Sequence, residues 1–455
     1  MIAALYGKKD VFDLLVSKGA DLTIRSEKND TILHVACESG NNPFVEALLP
    51  LFDINCRGQV GFTPAMTSAL YGKKDVFDEL VSKGADLTIR NDNNHTILHV
   101  ACRGGKSPIV EALFPLFDIN CRGEVGFTPA MTSALYGKKD VFNLLMSKGA
   151  DLTIRADNKH TILHVACQGG NSPIVEALLP LFDINCRGQM GFTSAMIAAL
   201  YGKKDVFDLL VSKGADLTIR NDNNDAILHV ACRGGNSPIV EALLPLIDIN
   251  CHGQVGFTPA MTSALYGKKD VFDLLMSKGA DLTIRNDNNH TILHVACRGG
   301  NCPIVEALLP LFDINCRGEV GFTPAMIAAL YGKKDVFDLL VSKGADLTIR
   351  NDNNDTILHV ACRGGNSPIV EDLLPLFDIN CRGQVGFTPA MTSALYGKKD
   401  VFDQLVSKGA DLTIRNDNND TILHVACRGE NNPIVELCYH CLTLIVVESW
   451  DLHQR

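Results

Sequence analysis

The sequence predicts an all-α solenoid of stacked helix-turn-helix units, linked by short β-turn or hairpin fingers. Three observations carry that prediction. The decapeptide TILHVACRGG at Thr96 returns in close copies at a fixed step of 65 residues, as at Thr31, Thr161, Thr291 and Thr356. Each unit divides into halves of 35 and 30 residues that share one plan: polar turn, short helix, glycine turn, second helix, loop. Helices of about two to three turns are marginal alone in water, and one such pair cannot close a core, so neighbours must stack.

The elements follow in order along the unit that begins at Asn55. Thr63 before Pro64 starts a helix: the hydroxyl caps it and proline takes the first helical position, where no N–H is needed. Gly72 stops that helix. The next begins near Asp75, whose charge suits the positive end of the helix dipole. Val76, Phe77, Leu80 and Val81 fall at helical spacing and form its buried face. Gly84 ends it. In the shorter half, Ser107 and Pro108 are read as cap and first turn, Ile109, Val110, Leu113 and Phe114 as the buried face, and Pro115 as the stop. The stretches RNDNN and CRGQVG carry the residues of tight turns.

Composition bounds the classes. Apolar residues make up 46% and charged residues 21% of 455, a globular balance. The net charge of −10 disfavours general nucleic-acid binding. The chain opens without a basic-then-apolar leader, so the expected setting is cytoplasmic. The sixteen cysteines fall mostly at two fixed phases, Cys37 and Cys56 with their copies. One small apolar residue per repeat, kept as a reduced thiol, accounts for them better than a disulfide framework. The longest apolar run, LCYHCLTLIVV from Leu437, is too short for a membrane span, which needs about 20 apolar residues.

The segments GFTPAMTSALYGKKDVFDELVSKGADLT (from Gly61) and NHTILHVACRGGKSPIVEALF (from Asn94) resemble ankyrin repeats. The resemblance covers about nine tenths of the chain, as about 14 repeats. There are departures. Met66 stands where the family has His, and Ile97 where proline is usual. Asn94 replaces the first glycine and tolerates positive φ better than most residues. The shorter halves lack the Gly-Ala after their second helix, so a tighter, irregular finger is expected there. The resemblance implies that His99, His164, His229, His294 and His359 are structural, bridging a local threonine and the backbone of a neighbouring repeat. It also implies that Cys102 and its copies sit where the family prefers alanine, between closely packed helices.

His99 and Cys102 also have the spacing of two zinc ligands on one helix face. Tetrahedral zinc wants four ligands, and successive sets are separated by a whole repeat, so packing is the preferred reading and no metal is expected. GGKSP at Gly104 lacks the earlier glycine of a phosphate loop. Every His or acid that could serve in catalysis is duplicated at the same phase, whereas catalysis needs one asymmetric constellation. No enzyme activity and no cofactor are expected.

Three ladders remain as partner-binding candidates. Tyr71, Tyr136, Tyr201, Tyr266 and Tyr331 each end a first helix, which in the family lines the concave face. Tyrosine is a favoured hot-spot residue, and packing over the interhelix glycine fits the position equally well. Lys73 and Lys74 lie in the interhelix turn, and Arg103, Arg233 and Arg298 close the first helix of the other halves. Together they imply a basic edge, either simply solvated or facing an acidic partner. The third ladder is the finger tips, Arg90 to Asn93 and copies, where the position of His95 alternates with Asp225 and Asp355.

The expected organisation is a repeat array over 1–436, its first repeat truncated, followed by an aberrant tail over 437–455 that holds Trp450. The expected function is a protein-interaction scaffold or adaptor using the concave helix and finger surface. A structural spacer without a ligand, and a targeting module of a larger enzyme or channel, are the alternatives. The near-identity of the units favours the spacer, and the abrupt ends favour the larger protein.

Overall fold

The computed structural model describes residues 1–439. The chain divides into two compact units, one from Met1 to Asn223 and one beginning at Asn224. Both have the same all-α plan of stacked helix pairs.

In the first unit a 65-residue segment builds α1 (Pro64–Tyr71), α2 (Lys74–Ser82), α3 (Ile97–Gly104) and α4 (Ser107–Leu113). The Thr63 hydroxyl accepts from the Met66 N–H at 3.3 Å, and Gly72 closes α1 at φ +70°. Val76, Phe77 and Leu80 of α2 are buried, whereas Val81 is 38% exposed and lies outside the core stripe. Ile109, Val110 and Leu113 of α4 are likewise buried. Helix α1 packs on α3 and α2 on α4, and α3 packs on the copy of α1 at Pro129–Leu135. The second unit repeats this with Pro259–Leu265 on Ile292–Gly299 and Lys269–Ser277 on Cys302–Leu308. Each short helix is thus stabilised by its neighbours rather than by its own length.

Two local readings change. Ser107 is the first residue of α4, and the cap position is Lys106, whose side chain makes no cap bond. In the copies this place holds Asn171, Asn236 or Asn301, whose side-chain oxygen accepts the capping N–H at 3.1–3.2 Å. The fingers are turns rather than hairpins: among the described residues there is no strand, only an isolated bridge between Arg187 and Thr193.

The finger after each shorter half is irregular in a specific way. Val60, Val125, Val255, Val320 and Val385 sit in the left-handed region at φ +51° to +53°, with Met190 in the same place at +52°. For a β-branched residue this is a strained conformation. It coincides with a bond to the next finger, since the Val125 carbonyl accepts from the Asp157 N–H at 2.9 Å. Val125 is 49% exposed, so little packing is lost on replacing it. Val125→Asn is expected to raise stability by about 1 kcal/mol through strain relief. A urea midpoint that stays put or falls would show that no strain is stored there.

Candidate functional site

The tyrosines end α1 and its copies and are half exposed: Tyr71, Tyr136, Tyr201, Tyr266 and Tyr331 range from 44 to 48%. The arginines that close α3 and its copies lie over these rings. Arg103 lays its guanidinium carbon 4.8 Å from the Tyr136 ring centroid, Arg233 5.1 Å from Tyr266, and Arg298 4.8 Å from Tyr331. Arg363 does the same over Tyr396 at 4.9 Å. A guanidinium over a ring face is a cation–π contact, and it holds both side chains flat. The structure therefore joins two ladders that the sequence reading kept apart. Tyr71 and Tyr201 differ, because Glu38 and Gln168 stand at the arginine position.

The lysines are largely engaged. Lys73 precedes α2, and its stem crosses Gly40 so closely that a Cβ there would lie 2.6 Å from Lys73 Cδ. Lys74 ion-pairs with Asp78 one turn along α2, and Lys204 with Asp208 in the copy. Such exposed pairs contribute little stability, but they do offset the positive charge of the turn.

The repeated histidines lie beneath this surface. His99 Nε2–H donates to the Phe127 carbonyl at 2.9 Å, and Nδ1 accepts from the Thr96 hydroxyl at 2.9 Å. His164 contacts Thr161 and Phe192 at 2.8 and 3.1 Å, His294 contacts Thr291 and Phe322 at 2.8 and 3.0 Å, and His359 contacts Thr356 and Phe387 at 2.8 and 3.0 Å. His229, where Ala226 replaces the threonine, keeps its bond to the Phe257 carbonyl at 2.9 Å. A carbonyl on one ring nitrogen and a hydroxyl donor on the other fix a neutral tautomer. Burial pushes the pKa of His99, His164 and His294 down to about 4. Cys121 Sγ lies 3.9 Å from His99 Nδ1, and burial raises its pKa, which suits a quiet thiol rather than a nucleophile. Cys102 is fully buried.

The alternating finger position carries two arrangements. His95, His160 and His290 stack on the buried imidazoles of His99, His164 and His294, with centroids 5.2 Å apart. Asp30, Asp225 and Asp355 instead accept from the N–H of Gln59, Gln254 and Gln384 at 2.8–3.0 Å. The finger tips are also cross-linked. Arg57 pairs with Asp92 at 2.8 Å and Arg122 with Asp157 at 2.6 Å, while Arg90 Nη1 donates to the Arg122 carbonyl at 2.9 Å. The fingers thus form a continuous hydrogen-bonded staircase within a unit rather than free tips. Of the CYHC run that begins at Cys438, His440 and Cys441 lie outside the described residues, as does Trp450.

Comparison with known proteins follows this geometry. A family model described as ankyrin repeats (3 copies) matches residues 1–91, 88–156, 154–221, 213–286, 281–351, 326–416 and 358–443. "Ankyrin repeat and KH domain-containing protein mask-1" of Caenorhabditis elegans is 28% identical over 90% of this chain and 16% of its own length. "Transient receptor potential cation channel subfamily A member 1" of Homo sapiens is 23% identical over 76% of this chain and 39% of its own. "E3 ubiquitin-protein ligase KEG" of Arabidopsis thaliana is 23% identical over 60% of this chain and 18% of its own. The chain therefore spans well under half the length of these relatives.

Proposed function

From the premise that the chain belongs to the ankyrin repeat family, we propose that it is a scaffold or adaptor, binding a protein partner along its concave helix and finger surface. Repeats of this family are generally protein-interaction modules and generally non-catalytic. The observation that carries the reading is the tyrosine ladder. Large, flat, amphipathic rings stand half in solvent at a fixed step, four of them held under a guanidinium. Rigid aromatic and arginine side chains contribute contact area at low entropic cost on binding. Lys73 and Lys74 have a lesser part, because packing over glycine and pairing with aspartate already occupy them.

The cysteines of both repeating phases are free thiols, which fits a reducing, cytoplasmic setting. No helix of the described residues is long and apolar enough to cross a membrane. The small share of each relative that the chain spans favours one further reading, a recognition segment of a longer protein.

The test is affinity capture from native lysate with the chain and with a variant carrying Tyr136→Ala, Tyr201→Ala and Tyr266→Ala, both checked for equal helicity. The expected result is a protein retained by the parent and lost by the folded variant. Identical recoveries from both would sink the groove reading.

A further inference from the structure

One copy of the repeating surface departs from the others in charge. Three positions meet there: the alternating finger residue, the residue closing the first helix of the shorter half, and the glutamine or glutamate of the next finger. They read His95, Arg103, Glu124, then His160, Gln168, Gln189, then Asp225, Arg233, Gln254. The series continues with His290, Arg298, Glu319 and Asp355, Arg363, Gln384. With histidine neutral, every one of these sets sums to zero. A carboxylate is present at one of two places whenever the arginine is present, and both carboxylates are gone where Gln168 replaces it. The last copy has Asp420 and Arg428 at the first two positions, again balanced, whereas the first, Asp30, Glu38 and Gln59, carries two carboxylates and no arginine.

That set borders a recess of about 350 Å³ next to Tyr71. At Tyr136, Tyr266, Tyr331 and Tyr396 the chain's own arginine lies over the corresponding ring, at 4.8–5.1 Å. At Tyr71 the residue in that place is Glu38, which borders the same recess as the ring. Asp30 stands at the finger position on the same recess, with one oxygen accepting from the Gln59 N–H at 2.9 Å. An arginine at this place can also reach the finger carboxylate of its own copy, since Arg428 pairs with Asp420 at 2.9 Å. Four other copies thus show what fits on the ring, a flat cation, and a fifth shows that an arginine here can take a carboxylate partner. Lys28, His95 and Arg103 also border the recess. Arg103 is held over Tyr136, and Lys28 is an exposed finger residue.

We propose that the recess formed by Tyr71, Glu38 and Asp30 receives the guanidinium of an arginine in a partner polypeptide. The site rests on the scaffold reading for the existence of that polypeptide. The ring supplies the stacking face, and the two carboxylates accept from the guanidinium fork, a geometry that lysine's point charge does not match.

The test uses the full chain and saturation-transfer difference NMR. The probe is a blocked glycine-serine peptide with a single central arginine, run beside its citrulline and lysine counterparts. Transfer to the arginine δ-methylene is expected, and about fivefold less to citrulline, which keeps the shape but loses the charge. Glu38→Arg installs the residue found in other copies, so the fold tolerates it, and it should remove the signal. Tyr71→Leu keeps both carboxylates and should weaken arginine to the level of lysine. Equal transfer to arginine and citrulline, no transfer to arginine, or an unchanged signal in Glu38→Arg would overturn the site. Free L-arginine matching the peptide would overturn the polypeptide source. The capture experiment leaves Tyr71 intact, so loss of the scaffold reading and loss of this site are separately visible.

Discussion

Between pH 7.5 and pH 5.5 the array is expected to lose about 4 kcal/mol of stability from three buried histidines alone. His99, His164 and His294 have folded pKa values of about 4, against an ordinary value of 6.5. The largest cause is burial; the Phe carbonyl on Nε2 acts the other way and only partly offsets it. In this window the unfolded chain binds more protons than the folded one, so stability rises with pH. The penalty is absent above about pH 6.5, grows as pH falls, and levels off below the folded value. At pH 5.5 each group contributes about 1.4 kcal/mol, the cost of one pKa unit. His95, His160 and His290, also shifted down by burial, act in the same direction. Carboxylates such as Asp86, held low by the Thr88 hydroxyl, titrate in a lower window and do not enter. Urea unfolding in about 0.2 M salt, where long-range charge effects are screened, measures the shift. An equal midpoint at both pH values would mean that the imidazoles are protonated in place.

Gly299→Ala is expected to cost about 2–3 kcal/mol, the range for forcing an extra methyl group into a packed site. Gly299 closes the helix Ile292–Gly299 where it crosses the preceding repeat. A Cβ there would stand 2.6 Å from the Leu265 carbonyl oxygen and 2.7 Å from that of Ala264. Both are backbone atoms of a neighbouring helix, so no side chain can swing aside. Alanine's better helix propensity, about 1 kcal/mol, is too small to compensate. The comparison variant is Gly279→Ala, at φ +84° with nothing within 4 Å of the new methyl group. Only the left-handed backbone resists there, at roughly 1–2 kcal/mol. If the two variants unfold at the same urea concentration, the repeats are not as closely apposed as this geometry requires.

What the sequence revealed depended on how local the cause was. Thr63 with Pro64, Gly72 and the buried face of Val76, Phe77 and Leu80 follow from chemistry within one turn of helix, and they were legible. Asn94 at φ +60° was legible for the same reason. Val125 was not, because a β-branched residue is the last expected at positive φ, and the bond that accompanies it comes from another finger. The α4 cap was displaced by one residue because Ser107 and Lys106 compete for the reading, and only the copies with asparagine show the cap bond. Arg103 over Tyr136 joins residues in different repeats, beyond any helical spacing. A signal did exist: Glu38, Arg103 and Gln168 vary at one position while the finger residues vary with them.

The imidazole N–H groups have a further use. Each is handed across a seam to a neighbouring carbonyl and kept from water, so its exchange with solvent reports whether that one seam is shut. Because the seams recur at a known step, proton signals from the rings form a tally of closed contacts. An array opening from one end would drop them in sequence, and one coming apart everywhere would fade them together. The chain therefore contains its own ruler for telling gradual unzipping from collective melting, without any label added.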